Sequence, residues 1–285
     1  MAKKALLVGI NDYAPAGPGG PDLRGCVNDV HDMANTLSML GIVPATPPSM
    51  RILTDCRATR AAIMDALQWL ITGARKGDRL VFYYSGHGSQ VIDVSGDEPD
   101  GKDETICPHD FATAGMILDD DLRKIFSSLS AGVNLDVILD SCHSGTGTRE
   151  LSALATTSDE LSVSYRYVEP PIDVSFFLDS YPSLPVRGIL KQRKGGKEAI
   201  VAPGLNQVLW AGCRSNQTSA EASFDGVYRG LFTLNFCKVL RGAGVTITRQ
   251  NLNIQICRNI KASGYAQVPQ LECVAAESLT EKVFA

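Results

Sequence analysis

Short apolar runs alternate with amphipathic segments along most of the chain. The apolar runs are nearly continuous in Val, Ile, Leu, Phe or Tyr, as in strands that are covered on both faces. They lie at residues 4–10, 51–54, 79–85, 134–140, 207–212 and 267–273. Between them, apolar side chains recur every three to four residues and predict helices over residues 30–40, 63–70, 122–129, 230–241 and 248–261. This order predicts an α/β fold with a mostly parallel central sheet flanked by helices on both faces.

One long stretch interrupts this order. Residues 146–200 lack a convincing period, contain four prolines between 170 and 185, and end in a basic run at 191–197. We therefore expect an exposed connection that is either functional or mobile. It divides the chain into a larger region, residues 1–145, and a smaller region, residues 201–285, which completes the same sheet.

Composition excludes several classes of protein. The 285 residues are 44% hydrophobic and 20% charged, as in an ordinary globular protein. A formal net charge of −4 argues against a nucleic-acid partner, because binding phosphates needs clustered Lys and Arg. The first apolar run is cut off at Asn11, too early for a signal peptide or a membrane span, so we expect a cytoplasmic protein without a membrane partner. The eight cysteines include no CxxC pair and predict free thiols, several of them buried.

Two predicted strands run directly into reactive side chains, His87 and Cys142. In an α/β sheet, reactive groups gather just beyond the carboxyl ends of neighbouring strands, so these two residues could meet. A thiol attacks as thiolate and needs a base, for which imidazole is the usual group. The pair therefore predicts a cysteine nucleophile with a histidine proton carrier. The backbone N–H groups of Gly88 and Cys142 could form the oxyanion hole.

Other interpretations of these residues stay open at this point. His87 could be a hydrogen-bonded turn histidine, and Cys142 a buried thiol at a strand end. His143 directly follows the cysteine, where adjacent side chains diverge, and His109 is expected to be a surface residue. A nucleotide-binding domain would need a phosphate loop, but residues 17–20 lack both the GxGxxG order and the Walker lysine.

Two blocks of sequence resemble the catalytic blocks of metacaspases, the caspase-like cysteine peptidases that cleave after Arg or Lys. They are Tyr83-Tyr-Ser-Gly-His-Gly-Ser-Gln90 and Asp140-Ser-Cys-His-Ser-Gly145. Supporting blocks lie at residues 9–13, 23–29, 96–104, 117–122 and 212–220. The resemblance implies a caspase-hemoglobinase fold, His87 and Cys142 as the catalytic dyad, and protein or peptide substrates.

The resemblance also implies a pocket for the basic side chain of P1, the residue whose carbonyl is attacked. Its lining residues would be Cys26, Asp29, Ser85 and Asp140. A buried Arg or Lys needs paired carboxylates, which favours basic over acidic P1 residues. Asp29 could also be the N-terminal acid of a helix capped by Asn28, and the two roles are compatible.

A calcium site is the second implied feature, with Asp103, Asp119 and Asp120 as ligands. Hard oxygen ligands suit Ca²⁺, and the acidic run 97–104 supplies more of them. The fourth aspartate of the family falls near Arg149, so this chain departs from the pattern there. Alternatively, the acids at 119–121 complement the dipole of the following helix.

The resemblance thus favours a calcium-activated, monomeric, cytoplasmic endopeptidase. Such an enzyme could cut its own connection, which contains the basic residues Arg187, Lys191, Arg193, Lys194 and Lys197. The alternative is a catalytically silent relative that acts as a binding or regulatory module.

Overall fold

The computed structural model describes residues 1–14, 22–92, 102–142, 163–168, 206–214, 217–273 and 275–285. The strands in these ranges are β1 (Lys3–Gly9), β2 (Met50–Thr54), β3 (Arg79–Ser85), β4 (Gly88–Ile92), β5 (Lys102–Ile106), β6 (Ile117–Leu118), β7 (Asn134–Asp140), β8 (Ser164–Tyr165), β9 (Asn206–Ala211), β10 (Ala220–Phe224), β11 (Val227–Gly230) and β12 (Gln270–Cys273). The α-helices are α1 (Cys26–Met39), α2 (Arg60–Ile71), α3 (Phe111–Ala114), α4 (Asp119–Phe126), α5 (Leu231–Ala243) and α6 (Arg249–Ala262).

A central sheet with the strand order β12-β9-β7-β3-β1-β2 organises the described part of the chain. Its neighbours run parallel except for β12, which is antiparallel to β9. The six strands predicted from apolar runs are these six, so the α/β prediction is confirmed. The last one begins at Gln270 rather than at residue 267, because Pro269 has no N–H to donate to a strand ladder.

Helices cover both faces of this sheet. Helices α2 and α4 pack on one face, and α1, α5 and α6 pack on the other. Alternate side chains of β3 explain why both faces are apolar, since Phe82 belongs to the first cluster and Tyr83 to the second. The five predicted helices are present, although α4 ends at Phe126, three residues before the end of its apolar pattern.

Two smaller sheets in the described ranges are absent from the sequence prediction. One has the order β4-β5-β6 and the other β11-β10-β8. Their strands are short and rich in polar or small residues, so they lack the apolar runs that mark the central sheet. Strand β8 lies within residues 146–200, for which we expect an exposed chain. That expectation is wrong at Arg166, whose side chain is fully buried by carboxylate partners.

Two further expectations concern the cysteines and the membrane. All eight cysteines lie in the described part of the chain, and they are free, with Cys142 among the buried ones. The prediction of free thiols is therefore confirmed. None of the described helices combines the length and the apolar character that crossing a membrane requires.

Candidate active site

The carboxyl ends of β3 and β7 lie side by side and carry the two reactive residues. Ser85 of β3 is in register with Asp140 of β7. His87 and Cys142 each follow two residues later, and their side chains are 2% and 0% exposed. The N–H groups of Gly88 and Cys142 donate to one acceptor, the carbonyl oxygen of Arg166, at 2.9 and 3.3 Å. The fold thus brings both strand ends around a single peptide carbonyl.

Two tyrosines fix the backbone at His87. Its N–H donates to the hydroxyl oxygen of Tyr13 at 2.7 Å, and the hydroxyl of Tyr84 donates to its carbonyl oxygen at 2.6 Å. The rings of Tyr13 and His87 lie 4.9 Å apart. A Cβ at Gly86 would lie 2.5 and 2.6 Å from the hydroxyls of Tyr84 and Tyr13, so only glycine fits there. The backbone that carries the imidazole is therefore held by both tyrosines.

The sulfur of Cys142 contacts the chain just before β10. It donates to the carbonyl oxygen of Ser219 at 3.2 Å and accepts from the N–H of the same residue. That N–H points at the sulfur, which becomes negative when the thiol loses its proton. The neighbouring thiol of Cys213 is hydrogen-bonded to Cys142, and this contact together with burial raises the pKa of Cys213 well above its ordinary value. Cys213 therefore stays a neutral thiol beside the nucleophile candidate.

Beside His87 and Cys142, the guanidinium of Arg166 lies in a buried pocket lined by carboxylates. Its terminal nitrogens lie 2.6 Å from Asp29, 3.0 Å from Asp140 and 3.5 Å from Glu221. Nη1 also donates to the hydroxyl of Ser85 at 2.8 Å and to the backbone carbonyl of Asp140 at 3.0 Å. A fully buried charge persists only with such partners. The pocket is therefore built for a guanidinium.

The N-terminus of α5 helps to hold two of these carboxylates. The carboxylate of Asp140 accepts from the N–H and the hydroxyl of Thr233, at 3.1 and 2.6 Å. Asp29 accepts from the N–H of Gly230 at 3.0 Å. The positive end of a helix dipole favours negative groups at this place. Both carboxylates are thus held by neighbours other than the guanidinium.

The start of α1 corrects one expectation. The N-cap is Gly25, and the side-chain oxygen of Asn11 accepts from the N–H of Cys26 at 2.8 Å. Asn28 lies inside the helix and donates to the backbone of Tyr228, so the prediction that it caps α1 is wrong. Asp29 does lie in the first helical turn, which makes it both a helix-terminal acid and a pocket residue.

Gly230 and Glu221 complete the pocket wall. A Cβ at Gly230 would lie 2.7 Å from both terminal nitrogens of Arg166, closer than real Cβ contacts. The φ of Gly230 is −68°, so the close approach, and not backbone conformation, requires glycine. Glu221 accepts from the N–H groups of Arg24 and Gly25, at 2.8 and 3.0 Å, which holds its carboxylate against the pocket.

Burial and charge act in opposite directions on the groups of the pocket. Burial raises the pKa of Asp29 to about 6, Arg166 acts against this rise, and Asp140 adds to it. Burial alone would lower the pKa of Arg166, but Asp140 and the other acids raise it well above its ordinary value. The pKa of Cys26 is raised by burial, so its thiol stays neutral under the pocket. The guanidinium therefore keeps its charge although it is out of contact with water.

Comparison with known proteins identifies the family. The family profile described as "Metacaspase, peptidase C14 domain" matches residues 3–149. Metacaspase-1 of Ajellomyces capsulatus is 36% identical, over 95% of this chain and 79% of that protein. The chain belongs to the metacaspase family. Metacaspase-1 of Schizosaccharomyces pombe is 34% identical over 95% of this metacaspase and 67% of the relative. The protein is therefore a cysteine-type peptidase.

Solved structures agree on the fold of this metacaspase. A protein from Geobacter sulfurreducens superposes with a TM-score of 0.69 and 28% identity, covering 100% of this chain and 98% of that one. Caspase-1 from Spodoptera frugiperda gives a TM-score of 0.56 at 13% identity, over 96% of this chain and 87% of that one. The second likeness concerns the fold alone. The prediction of a caspase-hemoglobinase fold is confirmed.

The predicted calcium ligands of this metacaspase lie on two adjacent elements. Asp103 of β5 and Asp119 of α4 are buried, at 4% and 2% exposure. Strand β5 pairs with β6, which leads directly into α4, so the two acids lie at the same edge. Asp120 forms an ion pair with Arg123 instead, and its N–H donates to Asp119 at 3.0 Å. Asp119, Asp120 and Asp121 stand in the first turn of α4, as the helix-dipole alternative requires.

These acids do not make a metal site by themselves. Among the residues that the structure describes, no group of three or more His, Cys, Asp or Glu side chains is arranged to hold a metal ion. The acidic run 97–101 and Arg149 lie outside the described residues. Calcium binding therefore stays a prediction. Asp103 and Asp119 are placed to be ligands, whereas Asp120 would first have to break its ion pair with Arg123.

The remaining sequence candidates fall into two groups. His109, expected at the surface, is buried, and the carbonyl oxygen of Asp12, 2.6 Å from its Nδ1, replaces water as a hydrogen-bond partner, so that expectation is wrong. His143 lies outside the described residues, as do residues 17–20 and the basic candidates between 187 and 197.

Glu221 and Arg166 are among the pocket residues that the sequence prediction misses. Glu221 lies one position beyond the last block that resembles the family, in the small-residue run Ser219-Ala-Glu-Ala-Ser223. An acidic residue within a short strand of small residues is a signal that could have identified Glu221. Arg166 lies in Val163-Ser-Tyr-Arg-Tyr-Val168, where β-branched and aromatic residues predict a strand. The surrounding prolines and basic residues hide that local pattern.

Proposed function

We propose that this metacaspase is an endopeptidase that cleaves peptide bonds after Arg and, more slowly, after Lys, with Cys142 as nucleophile and His87 as proton carrier. One observation carries the proposal. The guanidinium of Arg166 lies against acids in the pocket, while its own carbonyl accepts from the N–H groups of Gly88 and Cys142. The P1 residue of a substrate must likewise place its side chain against the acids and its carbonyl oxygen between the two N–H groups.

The reaction follows from these positions. His87 accepts the proton of the Cys142 thiol, and the thiolate attacks the P1 carbonyl carbon. The negative oxygen of the tetrahedral intermediate accepts from the N–H groups of Gly88 and Cys142. His87 then gives its proton to the departing amine, and water hydrolyses the thioester with the same imidazole as base.

The pocket contacts favour Arg over Lys. Nη1 of the bound guanidinium contacts Ser85 and Asp140, whereas Nη2 contacts Asp29 and Glu221. A lysine ammonium is a single compact charge and is unable to reach both sides of the pocket together. Aspartate at P1 would add a buried negative charge to the acids already present, which is strongly unfavourable.

We propose in addition that calcium supports this activity. Asp103 and Asp119 would be ligands, completed by oxygens of the acidic run 97–104, and the bound ion would supply positive charge that holds these acids together. Luminescence of Tb³⁺, a common substitute for Ca²⁺, provides a test that is independent of catalysis. Binding should be retained in Cys142→Ala and weakened in Asp119→Asn, and equal binding by both variants would reject the site.

Matched fluorogenic peptides that differ only at P1, with Arg, Lys or Asp, test the proposed specificity. We expect cleavage of the Arg peptide, slower cleavage of the Lys peptide and none of the Asp peptide, each measured with calcium and with EGTA. Cys142→Ala should be inactive. Undiminished turnover by that variant would reject the mechanism. A metacaspase that neither cleaves these peptides nor reacts with an arginyl chloromethyl ketone would be the silent binding module instead.

We further propose a cytoplasmic monomer. Light scattering at rising protein concentration checks the monomeric state, and a mass of two chains would contradict it.

A further inference from the structure

We propose that this metacaspase also selects its substrates on the far side of the cleaved bond, through a subsite for an apolar side chain at P2′. P1′ and P2′ are the first and second residues after that bond. The inference rests on the proposed function, since it takes residues 163–168 as a guide to the path of an extended peptide past Cys142. The subsite consists of the backbone of Gly88 and the hydrophobic cluster on the α2 side of the central sheet.

The position of Arg166 fixes the numbering of the residues that follow it. Strand β8 pairs antiparallel with β10, and the N–H of Arg166 continues the ladder by donating to the carbonyl oxygen just before β10 at 3.1 Å. Its guanidinium lies in the acidic pocket, and its carbonyl oxygen accepts from the N–H groups of Gly88 and Cys142. Arg166 thus lies as a P1 residue would, so Tyr167 stands in the place of P1′ and Val168 in that of P2′.

Strand β4 holds the chain after Arg166. Tyr167 forms a parallel bridge with Gly88, and the N–H of Val168 donates to the Gly88 carbonyl oxygen at 3.1 Å. Within the described ranges, β4 is an outer strand of the sheet β4-β5-β6, so its edge can accept an added strand. Adding a strand is a common way to bind an extended peptide, because main-chain hydrogen bonds fix its register. A substrate would therefore join β10 before the cleaved bond to β4 after it.

Gly88 contacts the peptide on both sides of this bond. Its N–H donates to the carbonyl oxygen of Arg166 at 2.9 Å, and its own carbonyl oxygen accepts from Val168. One residue thus supplies an oxyanion-hole donor and the acceptor for the P2′ N–H. Glycine has no side chain to restrict its backbone, so the second hydrogen bond helps to set the orientation of Gly88. The P2′ contact therefore supports the leaving residue and the oxyanion donor together.

The side chain at P2′ lies in apolar surroundings. Val168 is partly buried and packs against the hydrophobic cluster on the α2 side. Ile106, a member of this cluster, is in register with Gly88 across the β4–β5 pair, so the cluster extends to the edge that binds the segment. Apolar surface that leaves water here contributes to binding, whereas a charged side chain would lose its water without gaining a partner. We therefore expect valine to be favoured over glycine, and glycine over aspartate.

Internally quenched peptides that differ only at P2′ test this order. All carry Arg at P1 and Tyr at P1′, followed by Val, Gly or Asp. We expect kcat/KM to fall roughly 3- to 10-fold from Val to Gly, as for the loss of a partly buried valine side chain, and to fall further for Asp. The same changes at P4′, beyond the residues that contact β4, are the matched control and should leave kcat/KM nearly unchanged. Competition by the internal segment lowers kcat/KM for every peptide by one factor, so the ratios do not depend on it.

A peptide with an ester linkage between P1′ and P2′ tests the backbone contact separately. The ester replaces the P2′ N–H by oxygen and keeps the valine side chain. We expect kcat/KM to fall roughly 3- to 30-fold, because the donor to Gly88 is lost and two oxygens then face each other. An ester placed before P4′ is the control and should be cleaved like the all-amide peptide.

The outcomes separate the subsite from the proposed function. Equal kcat/KM for Val, Gly and Asp at P2′, or equal effects at P2′ and P4′, would overturn the subsite while cleavage after Arg stands. An ester peptide cleaved as fast as its amide would overturn the contact with Gly88. A fluorogenic Arg amide has no P2′ residue and therefore tests the peptidase alone. Failure to cleave both this amide and the peptides would overturn the proposed function itself.

Discussion

Replacing Asp29 by Asn removes one charge from the pocket while keeping its shape. Asp29 accepts from Nη2 of the bound guanidinium at 2.6 Å, the shortest of the three carboxylate contacts given above. A hydrogen bond to a charged group contributes about 1.5–3 kcal/mol. At about 1.4 kcal/mol for each factor of ten, Asp29→Asn should lower kcat/KM for an Arg peptide by roughly 10- to 150-fold. For a Lys peptide kcat/KM should fall less, because a lysine ammonium depends less on the side of the pocket that binds Nη2 of an arginine.

The assay compares kcat/KM for matched Arg and Lys peptides in an Arg166→Gln background, so that the internal segment does not compete. Asp32→Asn is the control in the same helix. Asp32 pairs with Arg229 and Arg241 at 2.8 and 2.7 Å, and not with Arg166. We expect the control to keep the Arg-to-Lys ratio of the parent. An Arg preference that is unchanged in Asp29→Asn, or lowered equally in both variants, would refute the assignment of Asp29 to the P1 pocket.

The remaining predictions concern pocket size and pH. Gly230→Ala places a Cβ 2.7 Å from the guanidinium nitrogens and against the Asp140 carboxylate. Overpacking of about 1–3 kcal/mol should lower Arg-peptide kcat/KM roughly 5- to 150-fold. An unchanged kcat/KM would contradict the assignment of Gly230 to the pocket wall. Burial raises the pKa of Asp136 from 3.8 to about 6, although Arg249 and Arg79 act against the rise. The folded state then keeps a proton that the unfolded state loses, so in Cys142→Ala protein the free energy of unfolding should fall by roughly 2 kcal/mol between pH 4 and 6 relative to Asp136→Asn. Urea unfolding at several pH values measures it, and parallel curves for the two proteins would contradict the prediction.

The central sheet was predictable because its strands are long and apolar. A strand that is buried on both faces, such as β3, is a continuous run of apolar residues. Few other structural elements produce such a run. The side-by-side strand ends that precede His87 and Cys142 followed from the same patterns, since parallel neighbours end at one edge. Asp29 and Asp140 needed the family resemblance, because no spacing connects the first turn of α1 with the end of β7.

The small sheets and two pocket residues were not predictable in the same way. Strand β8 pairs with β10, and the partners Ser164 and Glu221 are far apart in the chain and have no local pattern in common. The N–H of Gly25 reaches the carboxylate of Glu221 because α1 packs beside β11, a contact that no local pattern predicts. Arg166 lies among polar and proline-rich neighbours, so composition predicted exposure. Its burial depends on carboxylates that three separate elements contribute.

Covalent labelling tests the central claim most directly. Arg166→Gln protein would be treated with an arginyl chloromethyl ketone, and the modified residue would be identified by mass spectrometry of peptides. We expect one adduct, on Cys142, and none when an aspartyl reagent replaces the arginyl one. Equal labelling by the aspartyl reagent, or an adduct on Cys213 with Cys142 left free, would contradict an arginine-specific peptidase with Cys142 as its nucleophile.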